Sequence, residues 1–294
     1  MNFISQVIND VRKEVEDQKS ELPLSEIKER VRDRPDCVDF DGSISRDPAG
    51  LIAEIKKKSP SMGKMAVARR GEIGKIQKLY SERPSVRAVS VLTNRLYFGG
   101  SPSLLTESKA QIPKKPILRK DFIFDEYQVW HAREMGADAI LLMANVVEDA
   151  HRFADLHNLA KSLGLGVLCE VHTEAELARL PVSATVCGVN CRRFLAPKGK
   201  FTAAKFLKKF GKDITTDLTS FSLLNKIPSN LIKVAESGLT VNNIGEVLRK
   251  NPFHSALIGT SILQSTDPRR EIEALEEAME NLDFQTAGTA SLAQ

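Results

Sequence analysis

Eight short apolar segments, spaced almost evenly from residue 51 onward, constrain the fold of this chain most. Most of the intervals between them show the periodicity of an amphipathic helix. We predict strands at residues 51–58, 87–93, 116–121, 138–144, 166–172, 185–190, 232–236 and 255–259. Strands that alternate with helices indicate parallel β/α units with right-handed crossovers. A doubly wound open sheet is an alternative, but eight nearly regular units favour a closed (β/α)8 TIM barrel with an N-terminal helical extension.

Four of these predicted strands end in charged or amide side chains. The residues are Glu54 and Lys56 on the first strand, Lys120 on the third, Glu170 on the fifth and Asn190 on the sixth. A strand buried in a parallel sheet is normally apolar throughout, so these groups need another explanation. In a closed barrel all strand ends meet at one mouth, where barrel enzymes place their catalytic groups. We therefore predict an acid–base site there, with structural ion pairs around the rim as the alternative.

Two turns rich in glycine and hydroxyl side chains follow the seventh and eighth predicted strands. Such turns let backbone N–H groups approach phosphate oxygens, and barrels of this kind commonly bind a phosphate there. Each glycine alone has a simpler interpretation, because a glycine often just ends a strand. The two turns together favour a phosphate site that side chains from the first strand complete. Its predicted members are Lys56, Ser59, Ser61, Ser237, Gly238, Gly259, Thr260 and Ser261.

Two aromatic residues near predicted strand ends are candidates for the wall of an aromatic substrate pocket. They are Phe98 and Phe122, and ordinary packing in the core or at the rim is the alternative for both. Arg119 and Asp121 flank Lys120 along its strand. Because side chains alternate along a strand, we expect both to point away from Lys120, to the surface or into a pair between helices.

The chain divides into three parts by composition. Residues 1–48 form a predicted helical extension, since apolar residues recur at helical spacing over residues 3–15 and a second helix restarts with Ser25 as its N-cap. Residues 49–284 form the predicted barrel, which is the catalytic domain. Residues 285–294 are small and polar, and we expect a disordered tail.

The composition excludes several classes of function. The formal charge of +4 is small for 294 residues, and aromatic residues do not alternate with basic ones, which argues against nucleic-acid binding. No apolar stretch approaches the ~20 residues that span a bilayer, and the N-terminus lacks a secretory pattern. We therefore expect a cytoplasmic protein without membrane contact. A weakly basic mouth suits a small anionic substrate.

The four cysteines are expected to be reduced and buried. They are Cys37, Cys169, Cys187 and Cys191, and none of them forms a C-x-x-C motif. The five histidines are scattered along the chain rather than placed at ligand spacing. We therefore predict no metal site.

Segments along most of the chain carry a shared pattern that points to one enzyme family. They are residues 51–63, 90–101, 117–122, 136–142, 168–173, 188–192, 236–238 and 257–259. Together they resemble the indole-3-glycerol-phosphate synthase family of tryptophan biosynthesis. The resemblance extends over residues 1–268 and includes the N-terminal extension.

The resemblance implies a carboxy-lyase that works without metal or organic cofactor. The family's substrate is 1-(2-carboxyphenylamino)-1-deoxyribulose 5-phosphate, which undergoes ring closure with loss of CO2 and water. Lys120 would be the general acid at the ketone oxygen, and Glu170 would take or relay a proton. Glu54, Lys56 and Asn190 would assist dehydration and orient the intermediate. The implied binding residues are Arg192 near the anthranilate portion, Ser59, Lys56, Gly238, Gly259 and Thr260 on the phosphate, and Glu236 and Ser237 lining the site. Other tryptophan-pathway enzymes are implied candidate partners.

The chain departs from the family pattern at two places. Asn94 follows Thr93 where the family usually has an acidic residue, and Arg193 and Phe194 follow Arg192 where the family favours Asp and Leu. These changes leave open two alternatives: a barrel that binds a sugar phosphate or a partner protein without turnover, and an enzyme for a different aryl or amino sugar phosphate. An FMN-binding barrel is less favoured, because nothing beyond the phosphate turns indicates a flavin.

Overall fold

The computed structural model describes residues 3–60, 62–194 and 214–280. Within these residues, eight parallel strands close into a barrel in which the first strand pairs with the last. Strands β1 to β8 are Gly50–Ile55, Val86–Leu92, Ile117–Lys120, Ala139–Met143, Gly166–Val171, Val186–Asn190, Ile232–Glu236 and Ser255–Ile258. The predicted (β/α)8 TIM barrel is therefore confirmed, and the open-sheet alternative is wrong.

The first strand ends earlier than predicted. Its pairing with β2 runs only to Ile55, and Lys58–Ser59 instead pairs with Gly63–Lys64 in a separate short hairpin. Gly63 makes this hairpin possible with a φ of 65°, which a side chain would disfavour. The sequence reasoning extended the strand to residue 58 because a run of lysines does not itself mark the end of a strand.

Helices occupy the intervals between the strands, as predicted. Those of the described residues, α1 to α13, are Phe3–Glu21, Leu24–Arg32, Phe40–Ile44, Ala66–Arg69, Ile73–Glu82, Arg95–Phe98, Pro102–Gln111, Glu126–Glu134, Ala150–Ser162, Glu174–Leu177, Ile244–Lys250, Thr260–Gln264 and Pro268–Glu280. A 3-10 helix covers Leu218–Lys226, and a second short hairpin joins Arg192–Phe194 to Ile214–Thr216. None of the described helices is both long and apolar enough to cross a membrane.

The N-terminal helices pack against the barrel at both of its ends. In α3, Phe40 lies against Gly166 at the start of β5, and the carbonyl of Ile44 accepts a hydrogen bond of 2.8 Å from the Ser255 hydroxyl. In α1, Asp10 accepts a hydrogen bond of 2.7 Å from the Tyr97 hydroxyl, near the other end. These contacts join the extension to the barrel, so the division near residue 48 stays a prediction. The predicted tail, residues 285–294, lies outside the described residues.

Ser25 does not cap the second helix. Helix α2 begins at Leu24, and Pro23 occupies the N-cap position without a side-chain hydrogen bond. Pro23 is in the extended conformation, with φ −61° and ψ 147°, and the helix starts at the next residue, one residue ahead of Ser25. The prediction of this cap was wrong because the proline was interpreted only as a break.

Side chains alternate between the two faces of each strand. This alternation forms two apolar layers and directs the charged side chains of the site into the barrel. One set of side chains packs between strands and helices, and the other fills the barrel interior. The interior residues include Ile52, Leu118, Leu168 and Val234. Two residues further along the same strands stand Glu54, Lys120, Glu170 and Glu236, so the interior turns from apolar to charged at the carboxyl end. All four cysteines are free, as predicted; Cys169, Cys187 and Cys191 are buried, but Cys37 is only partly buried, contrary to the prediction.

Candidate active site

A cavity of about 490 Å³ opens at the carboxyl end of the barrel. The strand ends and the loops that follow them form its walls, which is where barrel folds place catalytic groups. Of the predicted site residues that the structure describes, all line it except Ser59 and Glu236, and Ser61 lies outside the described residues. The predicted residues in its lining are Glu54, Lys56, Phe98, Lys120, Phe122, Glu170, Asn190, Arg192, Ser237, Gly238, Gly259, Thr260 and Ser261.

Ser59 and Glu236 lie outside the cavity lining, contrary to the prediction that they face the substrate. The Ser59 hydroxyl is buried and accepts a hydrogen bond of 3.1 Å from the backbone N–H of Met62, so it holds the turn of the first hairpin. Glu236 is fully buried at the end of β7 and contacts Lys120 instead. The family resemblance implied that Glu236 lines the site, but the side chain lies below the cavity instead.

Lys120 forms the centre of a buried charge cluster. Its Nζ lies 2.8 Å from Glu236 Oε2 and 3.3 Å from Glu170 Oε2. Burial lowers the pKa of Lys120, but the charges of Glu236, Glu170 and Glu54 outweigh burial and raise the pKa above its ordinary value. Lys120 is therefore an ammonium ion in the free protein and carries a proton to donate.

The two carboxylates beside Lys120 differ in protonation. Burial raises the pKa of Glu236 well above its usual range, and the neighbouring charge of Glu170 adds to this effect. Burial acts on Glu170 in the same direction, but Lys120 and His172 lower its pKa below the ordinary value. Two buried carboxylates in contact cannot both ionise easily, so one keeps its proton. Glu170, which reaches the cavity, is the ionised member and is ready to accept a proton.

A second buried pair forms at the end of β1. Lys56 Nζ donates a hydrogen bond to Glu54 Oε1, and both side chains are almost fully buried. Burial lowers the pKa of Lys56, and nearby Arg192 lowers it further, while Glu54 opposes the change. Burial raises the pKa of Glu54, but Lys56 and Lys120 outweigh it and bring the pKa below its usual value. Glu54 therefore holds Lys56 in position for an anionic ligand at the mouth of the barrel.

The turns after β7 and β8 have backbone shapes that suit an anion. Ser237 and Gly238 both have a φ of 70°, so two successive residues adopt the left-handed conformation. In the next turn, a Cβ on Gly259 would lie 2.8 Å from the Cβ of Glu54, so only glycine fits there without movement. Close approach of backbone to the cavity, with the hydroxyls of Thr260 and Ser261 in the lining, supplies neutral donors for phosphate oxygens.

Aromatic and aliphatic side chains form part of the cavity lining. The rings of Phe98 and Phe122 tilt toward each other with centroids 6.3 Å apart. Leu92, Leu141 and Met143 add aliphatic surface to the same cavity. Such a wall accommodates a planar aromatic ring, whereas a sugar phosphate alone does not need it.

Arg119 and Asp121 are buried rather than exposed. Arg119 Nη2 lies 3.1 Å from Asp121 Oδ2, and Arg119 also donates to the Thr93 hydroxyl at 3.2 Å and to the Gln128 carbonyl at 2.9 Å. Helix α1 covers this pair, because Glu14 lines the small cavity beside it. Of the two expected arrangements, the pair between helices is therefore correct and the surface one is wrong. Asp121 also lines the main cavity, contrary to expectation.

Sequence reasoning missed His172, Met62 and Thr216. Met62 and Thr216 belong to the short hairpins and line the cavity, and no periodicity marked these hairpins. His172 stands two residues after Glu170, the same spacing that linked Glu54 to Lys56, so the signal was present. The predicted influence of Arg193 and Phe194 on specificity concerns side chains outside the described residues.

Comparison with known proteins gives the same family across the chain. The family model described as indole-3-glycerol phosphate synthase matches residues 4–275. The indole-3-glycerol phosphate synthase of Salinibacter ruber is 33% identical over 290 residues, which are 98% of this chain and 100% of that protein. The protein of the same name from Polaromonas sp. is 36% identical over 273 residues, covering 91% of this chain and 95% of that protein.

Solved structures with low sequence identity share the fold. The 3-keto-L-gulonate-6-phosphate decarboxylase of Vibrio cholerae has a TM-score of 0.57 at 11% identity and covers 80% of this chain and 99% of its own. The 3-hexulose-6-phosphate synthase of Salmonella typhimurium has a TM-score of 0.55 at 13% identity, with 79% and 99% covered. At these identities the likeness extends to the barrel alone. The family model and the curated relatives carry the assignment, and the chain belongs to the indole-3-glycerol phosphate synthase family.

Proposed function

We propose that this protein closes the indole ring of 1-(2-carboxyphenylamino)-1-deoxyribulose 5-phosphate. The reaction forms indole-3-glycerol phosphate and releases CO2 and water. The observation that carries this proposal is the cluster of Lys120, Glu170 and Glu236, in which a protonated lysine and an ionised carboxylate face one cavity. Ring closure and dehydration need these two groups in these states.

Lys120 acts as the general acid in the first step. The ring carbon that bears the carboxylate attacks the ketone carbon, and the new carbon–carbon bond pushes electrons onto the ketone oxygen. A proton from Lys120 Nζ meets this developing charge, so that a hydroxyl forms instead of an alkoxide. Departure of CO2 then returns its bonding electrons to the ring.

Glu170 takes or relays a proton during the later dehydration. The carbon–oxygen bond of the new hydroxyl breaks as Lys56 Nζ gives a proton to the leaving oxygen, and the cationic intermediate loses a proton from carbon to Glu170. Both lysines regain their protons from solvent, and Glu170 returns its proton there before the next turnover. The ionised carboxylate of Glu170 stabilises that cation and accepts its proton. Glu54, Lys56 and Asn190 line the same cavity and orient the intermediate during this step.

The two ends of the substrate find different surroundings in the cavity. The phosphate binds at the turns that contain Gly238 and Gly259, with Lys56 as the counter-charge. The carboxyphenyl ring lies against Phe98 and Phe122, with Arg192 near its carboxylate. Because the ring and the phosphate are held apart, the reacting carbons stay next to Lys120 and Glu170.

The proposal is tested by incubating the purified protein with this substrate and following indole absorbance and fluorescence. We expect product from the wild type and a loss of about 100-fold or more in Lys120→Met, the size typical of a lost acid or base. Lys115→Met is the matched control, since Lys115 donates to the Tyr80 carbonyl at 2.6 Å and does not line the cavity. Absence of product with retained phosphate-dependent binding would instead mean a barrel adapted to another ligand.

We also propose that the protein works in the cytoplasm. The four free cysteines, three of them buried, suit a reducing compartment. Contact with other enzymes of the tryptophan pathway stays a prediction, which a pull-down with those purified enzymes would test.

A further inference from the structure

One buried histidine contacts the active-site carboxylates from behind. His172 follows β5 directly, and its side chain is 12% exposed. Its Nε2 lies 3.6 Å from Glu170 Oε1, and its Nδ1 lies 3.5 Å from Glu176 Oε2. The imidazole therefore sits between a carboxylate that faces the substrate cavity and one that does not.

The position of the imidazole is fixed from its far side. Glu176, on α10, also accepts a hydrogen bond of 2.6 Å from the backbone N–H of His172. With backbone and ring both held, the Nε2 edge has one orientation, toward Glu170.

Glu170 and His172 each have a buried polar atom that faces the other residue. Glu170 Oε1 and His172 Nε2 are both buried and have no hydrogen-bond partner elsewhere in the described part of the chain. A buried carboxylate oxygen without a donor is costly, and a short movement of either ring or carboxylate would close the 3.6 Å gap. Lys120 lies 3.3 Å from Oε2, and Asn190 and Glu236 also hydrogen-bond the Glu170 carboxylate, while His172 is the group that faces Oε1.

We propose that His172 is a positioning residue that orients the Glu170 carboxylate for proton transfer. The proposal rests on the proposed function of Glu170 as the proton acceptor. A carboxylate that turns freely presents its accepting oxygen to the substrate only part of the time, whereas one held at both oxygens is already aligned. His172 itself does not reach the substrate cavity.

The surroundings of His172 also favour its charged form. Burial lowers the pKa of His172, but Glu176, Glu170 and Glu236 outweigh burial and raise it. Two cations also act on these carboxylates, Lys120 on Glu170 and Arg179 on Glu176. A charged His172 in turn holds the pKa of Glu170 down, so removing the charge raises the pKa of Glu170.

Two substitutions separate orientation from charge. In His172→Leu both the donor and the charge are lost, and we expect kcat to fall by about 10- to 100-fold with little change in KM, since misplaced groups cost rates of this size. In His172→Gln the amide nitrogen replaces Nε2 without the charge. We expect most of kcat to return, while the acidic limb of the pH profile moves to higher pH.

A matched control removes a different buried histidine. His157, on α9, contacts Ser183 Oγ at 3.2 Å and no carboxylate of the site, so His157→Gln is expected to keep the wild-type pH profile. Thermal unfolding of each variant identifies any that fail to fold. A His172→Leu variant that keeps the wild-type kcat and acidic limb would overturn the proposal.

A titration without substrate separates this inference from the proposed function. The imidazole of His172 is followed by NMR against pH in the wild type and in Glu170→Gln. We expect His172 to titrate at lower pH in the variant, because one neighbouring negative charge is lost. An unchanged titration would overturn the contact, whereas absence of indole product in the wild type would overturn only the proposed function.

Discussion

Glu236 and Lys120 are in contact at the mouth of the barrel, but only Lys120 lines the substrate cavity. Their Oε2 and Nζ atoms lie 2.8 Å apart, and Glu236 has no exposed surface. Glu236 therefore acts on the substrate only through the lysine. Its role is to set how tightly Lys120 keeps its proton.

Glu236→Gln is expected to move the basic limb of the pH profile to lower pH. Burial raises the pKa of Glu236 to about 8, so Glu236 is ionised in the alkaline range where Lys120 titrates, and its charge raises the pKa of Lys120 there. Replacing that carboxylate by a neutral amide lowers the pKa of Lys120. A general acid works only while protonated, and activity is lost as the pH rises through its pKa. The measurement is kcat/KM for indole formation between neutral and strongly alkaline pH. A basic limb at the wild-type position would show that Lys120 is not the acid or that Glu236 does not control it.

Lys56→Ala is expected to weaken phosphate binding. A hydrogen bond to a charged group contributes about 1.5–3 kcal/mol, so the Kd for inorganic phosphate should rise by about 10-fold or more. Lys57→Ala is the matched control, because Lys57 is the next residue and its side chain is exposed. Isothermal titration calorimetry measures both. Equal affinities in the two variants would remove Lys56 from the phosphate site.

The sequence predicted the barrel well because the rules involved are local. Apolar segments such as residues 138–144 are buried on both faces, and Gly136 and Gly164 mark the ends of the preceding helices with positive φ values. The two short hairpins lay beyond such rules. Each of their strands has only two or three residues, too few to show any period.

The sequence predicted which residues form the site, but not how deeply each side chain is buried. Charged side chains at the ends of predicted strands placed Glu54, Lys120 and Glu170 at the mouth of the barrel. The position of a strand end does not tell how far below the rim a side chain lies. The family resemblance implied that Glu236 lines the site, but Glu236 lies under Lys120 instead. The sequence did not indicate a role for His172. Its role depends on a contact with Glu176, and spacing along the chain does not reveal that contact.

Arg119→Ala is expected to reduce the free energy of unfolding by about 3–5 kcal/mol. Removal of one partner from a buried ion pair leaves the other charge without compensation, and costs of this size are typical. Arg269→Ala is the control, since Arg269 lies 3.8 Å from Glu82 with a side chain that is 57% exposed. Exposed pairs contribute about 0–1 kcal/mol. Urea denaturation measures both variants, and equal losses would mean that the Arg119 pair does not stabilise the fold.

Gly259→Ala is expected to lower phosphate affinity and turnover together. The added Cβ would lie 2.8 Å from the Cβ of Glu54, so either the turn after β8 or Glu54 must move. Glu54 accepts the hydrogen bond of Lys56, so its displacement also moves the cation proposed to bind the phosphate. A change confined to the turn would affect binding alone, whereas a displaced Glu54 lowers kcat as well.

Gly74→Ala provides the control for that substitution. Gly74 lies in α5, and nothing stands within 4 Å of a Cβ placed there. Alanine in a helix is more favourable than glycine by up to about 1 kcal/mol, so this variant should keep its activity and melt at the same or a higher temperature. Phosphate titration and steady-state kinetics distinguish the two glycines. If Gly259→Ala binds phosphate and turns over as Gly74→Ala does, the close approach of the turn to Glu54 has no part in holding the substrate.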